Sequence, residues 1–243
     1  LTFSADEAYY LDGKRLIYSS GTIGQEGAVY YLESDPFTKV IVHGTYTTST
    51  ANTWFEVQSS TGQICYYGNT TGARQSYTAG NFPRIYAWYL DYVEDPLGNY
   101  MNYTYNKWSY CMYPNTIMYG NNKNGSTGLQ NTVTFSYETR SNDPQLFVIE
   151  GVKGTMDRRL KTITSKTGNS VYRVYDLQYN TTGDASGTKY SRLTSVTERN
   201  GAGDVMQPVK LNWSYLPSLY SIPVSPQVNA ASVYPAVAFS EQQ

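Results

Sequence analysis

The chain has 243 residues, a formal net charge of −1 and only 15% charged side chains. That near-neutral balance lacks the basic footprint with which a nucleic-acid binder meets phosphates, so DNA and RNA are not expected partners. Twenty-six tyrosines, with many Thr, Ser, Val and Ile, suit a pleated surface, and the length fits one large or two small β domains.

In chain order, reversals are expected at Asp12-Gly13, Thr61-Gly62, Leu97-Gly98-Asn99, Asn124-Gly125, Thr167-Gly168-Asn169 and Asn200-Gly201, because Gly and Asn tolerate the positive φ of tight hairpins. Between them GAVYYLES, TKVIVHGTY, YMNYTYNKW, NTVTFSYE and SVYRVYDLQY read as strands. The stretch from Pro114 to Gly128 reads as a long exposed loop dividing residues 1–215 into halves at 1–113 and 129–215. Beyond it, residues 216–243 carry Pro217, Pro223, Pro226 and Pro235 and read as a connector or tail, since proline withholds a ladder donor. No run of eighteen apolar residues is present, and Leu1 opens without the basic and apolar parts of a signal peptide, so a soluble, mature or trimmed product is expected.

A nine-residue phrase recurs: an apolar residue, Val or Ile three later, Gly eight later. The copies start at Trp54, Leu90, Leu160 and Leu193, so the starts lie 36, 70 and 33 residues apart, and the middle gap suggests one drifted copy. An apolar pair three apart on a strand falls on opposite faces, so either both faces are covered or a bulge intervenes. The turn positions assigned on this basis are Gly62, Asp95, Gly98, Asn99, Gly168, Asn169 and Gly201.

The chemistry is sparse. His43 is the only histidine, and Cys65 and Cys111 lack metal-ligand spacing, so no metal site, cofactor or imidazole triad is expected; whether the two cysteines pair is open. No G-x-S-x-G, H-E-x-x-H, P-loop or G-x-G-x-x-G occurs. The carboxylates Asp91, Glu94 and Asp95, then Glu138, Glu150 and Asp157, are the remote candidates for a glycoside hydrolase. The plainer reading makes Asp95 a turn cap. Trp54, Trp88, Trp108 and Trp213 are the candidates for stacking on sugar rings, against the plainer reading of aromatics in cross-strand ladders. Arg158, Arg159 and Arg192 precede repeat leucines and are expected to meet carboxylates or carbonyls of neighbouring strands.

The stretches WYLDYVEDPLGNYMNYTY, VTFSYETR, RRLKTITSKTGNSVYRVYDLQY and YSRLTSVTERNGAG, in this order, resemble the Salmonella virulence plasmid B-type domain of toxin-complex B components, related to tyrosine-aspartate (YD, or Rhs) repeat proteins. The opening YYLDGKRLIYSSG and FEVQSSTGQICYYGN fit the same pattern. The resemblance implies an all-β fold of antiparallel hairpin repeats in a curved sheet or sandwich-like shell segment. It also implies a non-enzymatic wall piece of a large secreted or cell-surface bacterial protein, partnered by the rest of its polypeptide or a toxin-complex subunit. A carbohydrate-binding surface module is the alternative, with glycans as partners. Exposed strand edges would permit self-association.

Overall fold

The structure, a computed structural model, describes residues 8–45, 51–79, 82–125, 128, 130–149, 152–180, 190–213 and 238–242. Strands β1 (Ala8–Leu11), β2 (Lys14–Ser20), β3 (Val29–Leu32), β4 (Asp35–His43), β5 (Trp54–Gln58) and β6 (Ile64–Tyr67) form an antiparallel meander. A 3-10 turn at Thr71–Ala73 leads to β7 (Arg74–Ala79), which pairs with β8 (Phe82–Glu94). Then follow β9 (Asn99–Trp108), β10 (Cys111–Asn122), β11 (Asn131–Thr139), β12 (Gln145–Ile149), β13 (Val152–Met156), β14 (Arg158–Thr167), β15 (Ser170–Asn180), β16 (Arg192–Asn200), β17 (Val209–Lys210) and β18 (Ala238–Gln242). Every pairing is antiparallel, and the strands build one large sheet that is not closed into a barrel, with β12 and β13 as a separate two-stranded ribbon. The all-β hairpin architecture expected from the composition is present.

Strand β8 joins two differently built regions. Its first part pairs with β7 and β18, and its second part pairs with β6 and β9. On the β1–β6 side, strand alternation sends Val40, Val42, Phe55 and Val57 inward to a core completed by Leu11, Leu16, Tyr30, Ile85 and Trp88. Trp88 is only 2% exposed and its indole N–H donates to the Thr53 carbonyl at 2.6 Å, so the one polar atom of the ring is satisfied inside the core. On the other side, no residue of β11, β14, β15 or β16 is fully buried, so these strands form a strip one sheet thick.

Two expectations are corrected. Residues 114–122 are not a loop but most of β10, and the reversal is confined to the residues after Asn122. The strand accommodates Pro114 and Gly120 because register shifts lie beside each, between Pro114 and Thr116 and between Tyr119 and Asn121. The tail is not wholly a connector: its last described residues form β18, inserted between β1 and β8. Its four prolines, like Glu150, lie outside the described residues. Cys65 and Cys111 are both free thiols.

Candidate functional site

The repeated phrase marks a bulge. In β8 Tyr92 pairs with Tyr66 and Leu90 with Tyr67, so Asp91 is the unpaired extra residue. In β14 Thr162 pairs with Ser136 and Leu160 with Tyr137, leaving out Lys161; in β16 Ser195 pairs with Gln178 and Leu193 with Tyr179, leaving out Thr194. One extra residue resets the two-residue alternation, so the repeat leucine and the Val or Ile three positions on come to one face. The drifted copy is now visible as Pro114 to Asn122: Thr116 pairs with Thr104 and Pro114 with Tyr105, Asn115 is left out, Ile117 takes the Val position and Asn122 stands where glycine would be. The phrase at Trp54 is a different object, since β5 runs in unbroken register with β4 and leaves Trp54 and Val57 on opposite faces.

Each bulge is closed by an aromatic donor from further along the chain, a strand residue in three cases and Trp213, beyond β17, in the fourth. The Tyr105 hydroxyl donates to the Leu90 carbonyl at 2.6 Å, Tyr137 to Pro114 at 2.7 Å and Tyr179 to Leu160 at 2.7 Å, while the Trp213 indole N–H donates to Leu193 at 2.8 Å. The same tyrosines are cross-strand partners of the next bulge, Tyr105 of Pro114, Tyr137 of Leu160 and Tyr179 of Leu193. A chain of linked clasps therefore crosses the whole strip. Burial pushes the Tyr137 hydroxyl up to about 12 and raises those of Tyr105 and Tyr179 as well, so all three remain protonated donors across the physiological range.

The bulges also sort the two faces of the strip. Tyr103, Ile117 and Val133 are successive cross-strand partners, as are Phe135, Ile163 and Tyr175, and Leu177 with Val196. Together with the repeat leucines they make one face mostly apolar, crossed between β15 and β16 by Arg173 and Glu198, which share the face of Tyr175. The opposite face carries a row of four mutually paired threonines, Thr104, Thr116, Thr134 and Thr164, on four adjacent strands. Ion pairs stitch the far strands: Arg159 to Glu138 at 2.6 Å, Arg199 to Asp176 at 2.6 Å and Arg173 to Glu198 at 3.1 Å. The Arg159 pair meets the expectation of a cross-strand carboxylate. Arg158 instead bonds the Thr139 hydroxyl and lies 5.4 Å over the Trp108 ring.

The turn residues are placed as follows. Asp95 caps its turn, its carboxylate accepting from the backbone N–H groups of Leu97 and Asn99 at 2.9 Å and from the Asn99 amide at 2.8 Å. Those bonds, the Asn99 side chain first, hold its carboxyl below the usual range. Gly98 has φ +82° and Gly62 φ +81°, while Gly168 and Asn169 form the two-residue loop between the paired Thr167 and Ser170. Gly201 lies in the turn between Asn200 and Gly203, but the positive φ, +93°, belongs to Gly203, whose N–H donates to the Asn200 carbonyl. Gly201 is needed for space, since a Cβ there would lie 2.0 Å from the Val171 carbonyl oxygen.

The carboxylate candidates do not converge. Asp91, 4% exposed, accepts the Thr70 N–H at 2.5 Å, and its burial raises its carboxyl. Glu94 is paired with Lys123 and accepts the Tyr92 hydroxyl at 2.7 Å; the Lys123 contact lowers its carboxyl. Glu138 is held by Arg159, and Asp157 lies 3.8 Å from Arg158. Among the described residues no three His, Cys, Asp or Glu side chains gather as a metal site. The sugar-stacking set separates too. Trp88 is core and is removed from it, Trp54 stacks on His43 at 4.1 Å, and Trp108 packs between Tyr113 and Tyr137; Trp213 alone of the four is more than half exposed, at 54%.

No protein-family model matches the chain and no curated protein matches it in sequence. Solved structures do match in three dimensions. The N-terminal domain of the effector protein SpvB from Salmonella typhimurium superposes with a TM-score of 0.58 over 78% of this chain and 79% of that one, at 14% identity. The fold is that of the SpvB N-terminal domain. The same SpvB-like fold recurs in the TcdB2-TccC3 crystal structure (TM-score 0.60, 15% identity, 83% of this chain) and in a Photorhabdus luminescens Tc holotoxin pore (0.63, 14% identity, 83% of this chain). This chain spans only 13% and 12% of those two toxin-complex chains.

Proposed function

We propose that this chain is a non-enzymatic wall segment of a larger secreted bacterial protein of the toxin-complex type, whose partners are the rest of its polypeptide or another toxin-complex subunit. The observation that carries this reading is the strip one sheet thick, with an apolar face and a threonine face sorted by bulges and locked by aromatic clasps. Such a strip separates two environments, and the SpvB-like fold supports the same role. The apolar face turns toward enclosed polypeptide and the threonine face toward water.

The experiment is binding of a permanently unfolded, carboxymethylated polypeptide and of an apolar dye to the chain. Phe135→Ser with Ile163→Ser should abolish both, whereas Thr134→Ser with Thr164→Ser should leave both intact. Equal binding by the two double variants would overturn the assignment of faces. The exposed ring of Trp213 favours a second reading, a glycan-binding surface. Loss of binding on a glycan array in Trp213→Ala would select it.

A further inference from the structure

The strands around the β6–β8 seam carry an aromatic lane that the wall reading leaves unused. His43 stacks on Trp54 at 4.1 Å, Trp54 meets Tyr66 edge-on at 5.1 Å, Tyr66 stacks on Tyr92 at 4.8 Å with 18° between ring planes, and Tyr92 stacks on Tyr100 at 5.5 Å. The lane crosses β4, β5, β6, β8 and β9, and its members are half-buried rather than sealed in the core. The stacked faces of His43 on Trp54, Tyr66 on Tyr92 and Tyr92 on Tyr100 are thereby taken from a sugar ligand.

We propose that Tyr66 and Tyr92 are an oxidative modification site, coupling ring to ring as dityrosine and fastening β6 covalently to β8. Four features single out this pair. The two residues are direct cross-strand partners, their rings are nearly parallel, and both are within reach of a dissolved oxidant. The fourth is a proton acceptor already in place, the Glu94 carboxylate oxygen 2.7 Å from the Tyr92 hydroxyl. Other close tyrosine pairs are less suited. Tyr9 and Tyr30 meet at 87°, and Tyr113 and Tyr137 meet at 64° with the Tyr137 hydroxyl committed to its clasp.

The oxidant is hydrogen peroxide acting through a haem peroxidase, or a photo-generated one-electron acceptor. Each phenol gives up one electron and one proton, and the two phenoxyl radicals join through the ring carbons ortho to oxygen. The hydrogens on those carbons leave as the rings regain aromaticity and the phenol oxygens are reprotonated. The net loss is two electrons and two protons, which reduce one hydrogen peroxide to two waters. Trp54 and Tyr100 extend the lane on either side, so oxidation of either can migrate to the pair.

The test is to oxidise the dilute 243-residue chain with peroxidase and peroxide, and separately with light-driven ruthenium trisbipyridine and persulfate. Dityrosine fluorescence and peptide mass spectrometry then read the product. The expected result is an intramolecular link between the peptides holding Tyr66 and Tyr92, lost in Tyr66→Phe and in Tyr92→Phe, both of which keep the stacked ring. Tyr172→Phe, at a residue 62% exposed, should leave the link intact. Links found only between chains, or an intramolecular product that survives Tyr66→Phe, would overturn the proposal. Chemical-denaturation curves of the unoxidised Phe variants separate a lost reaction partner from a lost fold.

Discussion

Removing a clasp donor should loosen the strip by a calculable amount. In Tyr179→Phe the ring stays between the same neighbours, including the Arg159 guanidinium 4.8 Å from its centre, and only the 2.7 Å bond to the Leu160 carbonyl is lost. A buried carbonyl left without a donor costs about 1–3 kcal/mol, and since Tyr179 is half-buried, water recovers part of this, so about 1 kcal/mol is expected. With a urea dependence of about 2–3 kcal/mol/M, the midpoint should fall by about 0.3–0.5 M with an unchanged slope. Tyr105→Phe and Tyr137→Phe should behave alike, because their bonds of 2.6 and 2.7 Å reach equivalent bulge carbonyls. Tyr172→Phe is the control, its ring being exposed. If all four variants shift the midpoint equally, or none does, the clasps contribute nothing specific and the reasoning fails.

Deleting Lys161 leaves Leu160 and Ile163 two apart and so on one face of an unbulged strand, and should lower the urea midpoint no further than these Phe variants; a much larger fall would count against Lys161 being the extra residue. Gly98→Val should cost about 1–2 kcal/mol by equilibrium unfolding, since Gly98 holds φ +82°, while Gly125→Val, with no positive φ and its nearest obstacle at 3.3 Å, should cost well under half of that. Asp143 is buried, which alone would raise its carboxyl, but Arg140 at 2.7 Å and the Ser191 N–H and hydroxyl outweigh this and lower it. Its contribution is therefore present above the unfolded carboxyl value near pH ~4 and is lost as pH falls through the lower folded value. Asp143→Asn should destabilise the protein by about 3 kcal/mol at pH 7, and the gap to the parent should narrow steadily in acid unfolding below pH ~4; a gap independent of pH would count against the pairing.

The hairpin architecture was legible because glycine and asparagine mark reversals and β-branched runs mark strands. The odd Leu-to-Val spacing held the most information, since it demanded either two covered faces or a bulge, and β8, β14 and β16 use the bulge. The copy at Pro114 was hidden because proline and Asn122 replace leucine and glycine, and the same proline made a strand look like a loop. At Asn200 to Gly203 two glycines lie within three residues of one turn, and only the backbone decides which carries the positive φ. The clasps left no readable pattern. Donor and acceptor are 15 residues apart for Tyr105, 23 for Tyr137, 19 for Tyr179 and 20 for Trp213, as the intervening turns vary in length. Nor does composition distinguish a strand that feeds a core from one in a strip, since both draw on Tyr, Val and Thr, which is why Trp88 could not be told from Trp213.

The ribbon of β12 and β13 leaves the sheet between β11 and β14, yet β11 and β14 pair as though nothing stood between them. The Arg140 N–H donates to the Asp157 carbonyl at 2.8 Å across the base of this excursion, and Leu146 on it is 80% exposed. The strip therefore has a pinched doorway at which chain can depart and return without disturbing the order of the rungs. Because the entropy of closing such an excursion grows only slowly with its length, this is the point at which a long insertion would disturb the sheet least.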